Sequence, residues 1–264
     1  MIFPCLPDSK CMEWYTYIIV IGIGIVAGII NTLAAGGSLL TLPVLMALGL
    51  PPNMANGTNR IAIFLQNVVG VNRFHKEKVM DFPSGFKVGI PALLGAIAGA
   101  FIAVNLKDEV MKLAIAGVMI LVFFLMLLKP NRWINSHEEH PPIPYWVQVI
   151  VFFFVGIYGG FIQAGVGFFL LTSLVLGSGF ELLKANALKI FVILLYTPLA
   201  LVIFFLHGDV DLWMGLLLAV GNMTGALIGT KIAVKGGAKF IRYFVLMAIL
   251  GAATKLIIDA VKAL

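Results

Sequence analysis

Apolar stretches long enough to cross a bilayer recur from Trp14 onward, and no other feature limits the fold of this chain as strongly. A helix needs about 20 apolar residues to cross about 30 Å of hydrocarbon. Ten apolar stretches can be marked, at about 14–31, 38–50, 57–72, 84–105, 110–128, 145–163, 166–178, 187–206, 211–230 and 240–259. Backbone within hydrocarbon must satisfy its own polar groups, so such runs are expected as helices. Only 11% of the residues are charged, against about 25% in soluble domains. A water-facing exterior cannot be built from so few. The expectation is an all-α, polytopic, multi-pass transmembrane bundle, in contact with membrane lipid and residing in the cell membrane (inner or plasma membrane).

The formal net charge of +6 does not point to nucleic acid. The basic residues lie in short links between apolar runs, the usual consequence of the inside-positive bias. Cys5 and Cys11 both precede the first run. They form no metal or redox motif, although a local disulfide is compatible with an external N-terminus. The first run is read as a retained span, because a leader carrying Asp8, Lys10 and Glu13 lacks the basic start of a signal peptide.

The second and seventh stretches are short, and each follows a glycine break: Ala34-Ala35-Gly36-Gly37 and Ala164-Gly165-Val166-Gly167. Glycine-interrupted short segments at matching places point to a transporter site. The chain also repeats itself. A shift of 130 residues aligns the halves without a gap from Gly37 onward, placing Gly37 on Gly167, Asn56 on Asn186, Asp81 on Asp211 and Gly99 on Gly229. The polar matches are the informative ones in so apolar a chain.

Charge orients the halves. The first half carries Arg73, Lys76 and Lys78 between its third and fourth stretches, whereas the equivalent link in the second half has His207, Asp209 and Asp211. Its own basic link comes one span later, with Lys231, Lys235, Lys239 and Arg242. If both basic links are cytoplasmic, the halves are inverted and each has five crossings. The expected organisation is a leader 1–13, a first transmembrane repeat 14–128, a cytoplasmic linker 129–144 and a second repeat 145–264. The alternative is eight spans with two re-entrant segments and parallel halves. The linker residues His137, Glu138, Glu139 and His140 have the wrong spacing for a zinc helix. No metal site and no cofactor is expected.

Polar groups inside hydrocarbon are costly and tend to line an interior path. Here they fall in paired clusters: Asn31, Thr32, Ser38 and Thr41; Asn53, Asn56, Asn59 and Arg60, with Gln66 and Asn67 deeper; and Gln163, Lys184, Asn186 and Lys189, with Thr197 deeper. Amides and a guanidinium offer several donors in fixed directions, which suits an oxygen-rich anion. The expected substrate ligands are Asn31, Ser38, Asn56, Asn59, Arg60, Gln163, Asn186 and Lys189. Arg60 and Lys189 would balance charge, and Gly36, Gly37, Gly165 and Gly167 would permit the breaks. Proton coupling would need a titratable group, for which Asp81, Glu181 and Asp211 are the candidates; N-capping is the competing role for both aspartates.

The run Gly28-Ile29-Ile30-Asn31-Thr32-Leu33-Ala34-Ala35-Gly36-Gly37-Ser38-Leu39-Leu40-Thr41-Leu42-Pro43, followed by Gly49-Leu50-Pro51-Pro52 and Ala55-Asn56-Gly57-Thr58-Asn59-Arg60, resembles the signature of the sulfite exporter TauE/SafE family. Gly156 to Gly167 and Leu183-Lys184-Ala185-Asn186 look like its degenerate second copy. The resemblance implies a polytopic permease for sulfite, sulfonates or related organosulfur anions, a family usually described with seven or eight spans.

The expected function is therefore secondary transport of a small sulfur-containing oxyanion by alternating access. The competing readings are a transporter of another small organic anion and a non-transporting membrane partner or assembly protein. No catalytic constellation is present in the spans, so an enzyme is not expected. A homo-oligomer is compatible with the chain.

Overall fold

In the computed structural model, the described residues are 14–33, 36–128 and 143–236. They are helical, with no strand among them. The helices are α1 Trp14–Leu33, α2 Ser38–Ala47, α3 Pro52–Lys76, α4 Phe82–Val104, α5 Asp108–Leu128, α6 Tyr145–Phe161, α7 Val166–Thr172, α8 Leu182–Leu206 and α9 Leu212–Gly236. A π turn over Ser173–Gly177 continues α7. The leader 1–13, most of the 129–144 link and the stretch at 240–259 lie outside the described residues.

Among the described residues, four helices, α1, α4, α8 and α9, are long and apolar enough to cross a membrane by length and composition. At 1.5 Å per residue, α1 with its 20 residues spans about 30 Å. The second and seventh stretches are short helices, as their glycine breaks suggest. With 10 residues, α2 reaches only about 15 Å.

The 25-residue α3 is the exception to the hydropathy logic. It carries Asn53, Asn56, Asn59, Arg60, Gln66 and Asn67, all buried. A helix this polar can sit in a membrane protein only if other helices cover it. α8 covers one side, with Ile190 of α8 against Gly70 and Phe204 of α8 against Gly57. Because those contacts run in opposite order along the two helices, α3 and α8 are antiparallel.

Two other contacts are parallel and very close. Along α4 and α6, Gly95 meets Phe153 and Ile157, and Gly99 meets Ile157 and Phe161. Gly156 and Gly160 return the contact against Ala92 and Ala96. Along α1 and α9, Gly24 meets Gly221, Gly28 meets Gly225, and Thr32 meets Gly229. Backbone touches backbone at these sites except at Gly229, which meets the Thr32 side chain; only small residues allow such an approach. α4 also runs parallel to α8, with Gly85 on Phe191 and Gly89 on Leu195. α9 runs parallel to α3, with Asp211 just before α9 donating from its N–H to Thr58 Oγ1 at 2.9 Å and Gly215 on Ile61. Thus α1, α3 and α9 share one direction, and α4, α6 and α8 the other.

The outer surface suits hydrocarbon. Ile18, Ile90, Leu94, Phe154, Val202 and Phe205 are all more than half exposed. A crevice of about 600 Å³ between α4 and α6, lined by Phe86, Ile90, Leu94, Phe153 and Phe154, belongs to this apolar exterior.

Candidate functional site

The first helix of each half ends inside the protein, and this local feature builds the site. A helix end leaves its last carbonyls without intrahelical donors and carries a partial negative charge. Water would normally satisfy these groups, but here buried side chains do so. At the end of α6, Arg60 of α3 donates to Gly159 O at 3.3 Å, Gly160 O at 2.6 Å and Phe161 O at 3.5 Å. Asn56 Nδ2 adds a bond to Phe161 O at 2.7 Å. The guanidinium lies 4.4 Å from the ring centre of Phe204, a cation–π contact.

At the end of α1 the same task falls to α8. Lys189 Nζ donates to Asn31 O at 3.0 Å and Thr32 O at 3.5 Å. Asn186 Nδ2 donates to Thr32 O at 2.8 Å, and its Oδ1 accepts from Lys189 Nζ at 2.7 Å. Arg60, Asn56, Asn186 and Lys189 are at most 1% exposed.

The breaks that follow are also pinned. Asn31 Oδ1 accepts from the Gly37 N–H at 2.7 Å while its Nδ2 donates to Gln66 Oε1 at 3.2 Å. One amide therefore joins the end of α1, the start of α2 and the middle of α3. In the second half, Gly165 adopts φ +72, a left-handed conformation that glycine reaches without strain. The Tyr158 hydroxyl donates to Ala164 O beside it.

Between these broken helices lies a small central cavity of about 20 Å³. Asn31, Ser38, Gln66, Asn67, Gln163, Gly167 and Lys189 supply its polar and glycine walls, and Ile63, Val166, Ile190 and Ile193 the apolar ones. A space this size holds about one water. Two buried groups here have no partner: Asn67 Nδ2 and Gln163 Oε1. Gln163 is oriented by Thr197, whose hydroxyl donates to Ile193 O at 2.6 Å and accepts from Gln163 Nε2 at 3.2 Å.

Of the expected substrate ligands, Asn31, Ser38, Gln163 and Lys189 line the cavity. Asn59 stands just behind, accepting from Thr41 Oγ1 at 2.8 Å and donating to Ser38 Oγ at 3.3 Å. Asn56, Arg60 and Asn186 hold helix ends instead. Gly167 is on the cavity wall, Gly165 and Gly37 cap the short helices, and Gly36 precedes α2. Gln66 and Asn67 complete the wall. The polar cluster on α3 contained them, but only the facing of α3 toward the cavity distinguishes them.

The three candidate coupling acids lie at helix starts. Asp81 caps α4 by accepting from Ser84 N at 3.1 Å, and its Oδ2 lies 2.7 Å from Lys184 Nζ. The Lys184 bond, reinforced by Ser84, holds the Asp81 carboxyl down at about 2. Asp211 caps α9 by accepting from Met214 N at 2.9 Å. Glu181 occupies the cap position of α8 without a side-chain cap bond. None of the three lines the cavity. No group of three or more His, Cys, Asp or Glu suited to a metal occurs among the described residues.

Comparison with known proteins places this arrangement in context. The profile of the family described as Sulfite exporter TauE/SafE matches residues 20–256. The chain is 27% identical over 235 residues to "Probable membrane transporter protein ORF9" of Sinorhizobium sp, covering 89% of both chains. It is 28% identical over 240 residues to "Probable membrane transporter protein YfcA" of Escherichia coli, covering 90% of this chain and 88% of the relative. Identity to "Probable membrane transporter protein YunE" of Bacillus subtilis is 24% over 241 residues, covering 82% and 88%. No solved structure matches.

Proposed function

Because the chain belongs to the sulfite exporter TauE/SafE family of membrane transporters, we propose that it carries a small sulfur-containing oxyanion by alternating access between two inverted halves. The observation that carries this reading is the central cavity, where Lys189 and the amides of Asn31, Gln66, Asn67 and Gln163 converge. An anion leaving water needs donors and a counter-charge to replace its hydration. Lys189 provides the charge, and Asn67 Nδ2 provides a donor with no partner within the protein.

The inversion is supported by helix direction. α3 and α8 are equivalent under the 130-residue shift and are antiparallel. α4 and α9 are likewise equivalent and belong to opposite directions. Equivalent contacts recur, with Gly85 on Phe191 matched by Gly215 on Ile61. A cavity between inverted halves can open to either side by rocking one half against the other. An oxyanion is larger than one water, so substrate entry requires the cavity walls to separate.

Flux in liposomes containing only the purified protein tests this reading. Sulfite, sulfate, thiosulfate and an alkylsulfonate are loaded in turn, with and without a pH gradient. The expected result is flux of at least one of these anions above that of empty liposomes, lost in a folded Lys189→Gln protein. Dependence on the gradient would add proton coupling. No flux of any of them, from folded and inserted protein, would overturn the proposal.

A further inference from the structure

Given that the central cavity is the anion site, we infer that it selects for anions bearing a single charge: a hydrogensulfite or a sulfonate rather than sulfate, thiosulfate or fully ionised sulfite. The cavity wall carries one cation, Lys189, and no acid. Among the described residues the only other buried charged side chain is Arg60, and the only other buried ionisable group is Tyr196. Arg60 does not reach the wall; its head is fixed on the Gly159, Gly160 and Phe161 carbonyls and the Phe204 ring.

The Lys189 charge is itself opposed. Its Nζ sits on the Asn31 and Thr32 carbonyls at the end of α1, which carries roughly half an elementary negative charge. The remaining donors are neutral. Asn67 Nδ2 is unpaired, and the Ser38 oxygen accepts from Asn59 Nδ2 at 3.3 Å, leaving its hydroxyl hydrogen to donate. These groups can coordinate oxygen atoms but cannot neutralise a second charge.

The magnitudes separate the two charge states. The Born cost of moving an ion into a medium of low dielectric rises with the square of its charge, so a dianion costs about four times as much as a monoanion of its size. Its attraction to a single ammonium only doubles. A one-cation cavity therefore favours the monoanion strongly, and size and shape act within that class.

The test is selectivity of the wild-type protein in liposomes, each rate corrected for protein-free vesicles. Methanesulfonate is a fixed monoanion and sulfate a fixed dianion near neutral pH. Sulfite exchanges between hydrogensulfite and the dianion in that range, so its rate is read at pH 6 and pH 8 relative to methanesulfonate at the same pH. The expected result is methanesulfonate flux at least about tenfold above sulfate, with the relative sulfite rate falling several-fold from pH 6 to pH 8. Sulfate flux equal to or above methanesulfonate, or a relative sulfite rate that holds or rises with pH, would overturn the inference while leaving oxyanion transport in place. Absence of flux for all three and for thiosulfate would overturn the anion reading itself, and this inference with it; flux of thiosulfate alone would overturn only the inference.

Discussion

Arg60 on α3 and Lys189 on α8 each place a buried cationic head on the carbonyl end of the helix that opens the other half of the chain. They are one residue out of register, because the 130-residue shift places Lys189 on Asn59 rather than on Arg60. The one-residue offset gives them different surroundings. Lys189 borders the central cavity, and Arg60 is turned against α6 and Phe204.

That difference predicts different mutant phenotypes. Arg60→Gln removes the guanidinium donors to Gly159 O and Gly160 O, while Asn56 still serves Phe161 O, and each buried carbonyl left bare costs about 1–3 kcal/mol. The melting temperature and folded yield in detergent are expected to fall, while the protein that does fold retains more flux than folded Lys189→Gln. A stable but inactive Arg60→Gln protein would instead assign Arg60 to the substrate.

The parallel helix contacts allow no side chain at their closest points. A Cβ added at Gly99 would collide with Ile157 O, and one at Gly160 with Ala96 O. Gly99→Leu and Gly160→Leu should abolish recovery of monodisperse protein by size exclusion. Gly22 has nothing within 4 Å of an added Cβ. Gly22→Ala should fold normally and melt at or slightly above the wild-type temperature, because alanine is favoured over glycine within a helix by up to about 1 kcal/mol.

Asp81 gives the α4 cap and its pair with Lys184 a defined pH dependence. Its carboxyl, held by Lys184 and Ser84, titrates at about 2 instead of 3.8. A carboxylate depressed in the folded state contributes stability that is complete above its unfolded value and disappears as pH falls through its folded value. The melting temperature should therefore lose this contribution between about pH 4 and pH 2. Asp81→Asn keeps a capping oxygen but has no charge to titrate, so the gap between the two melting curves should close over that interval. A gap independent of pH would show that the Lys184 pair contributes nothing.

Helix direction predicts which ends face the same compartment. α3 and α9 run the same way, so Lys76 and Lys235 at their ends should be on one face and His207 at the end of α8 on the other. In a background carrying Cys5→Ser and Cys11→Ser, Lys76→Cys and Lys235→Cys should react with a membrane-impermeant maleimide from one side only, and His207→Cys from the other. Labelling of Lys76→Cys and Lys235→Cys from opposite sides would refute the inverted arrangement.

Asn67 tests the cavity wall directly. Asn67→Leu replaces an unpaired buried amide by an apolar side chain of similar bulk, a change expected to preserve the fold. Flux should fall at least about tenfold, with the melting temperature unchanged or higher. Unaltered flux would remove Asn67 from the solute path.

The sequence by itself determined the membrane-spanning character, the short helices after the glycine breaks, the 130-residue repeat and the polar clusters. These follow from chain-local properties: hydrocarbon demands long apolar helices, and glycine permits the breaks. Asn31, Ser38, Gln163 and Lys189 were recognisable as polar groups within apolar runs. Their convergence on one cavity was not, because it depends on how α1, α3, α7 and α8 face one another. Only the tertiary structure decided that α1 packs on α9 and α6 on α4, that Gln66 and Asn67 complete the wall, and that Arg60 holds a helix end while Lys189 meets the cavity. A buried cation serves whichever acceptors the fold brings to it, and here carbonyls from about 100 and 158 residues away in the chain set the roles of Arg60 and Lys189.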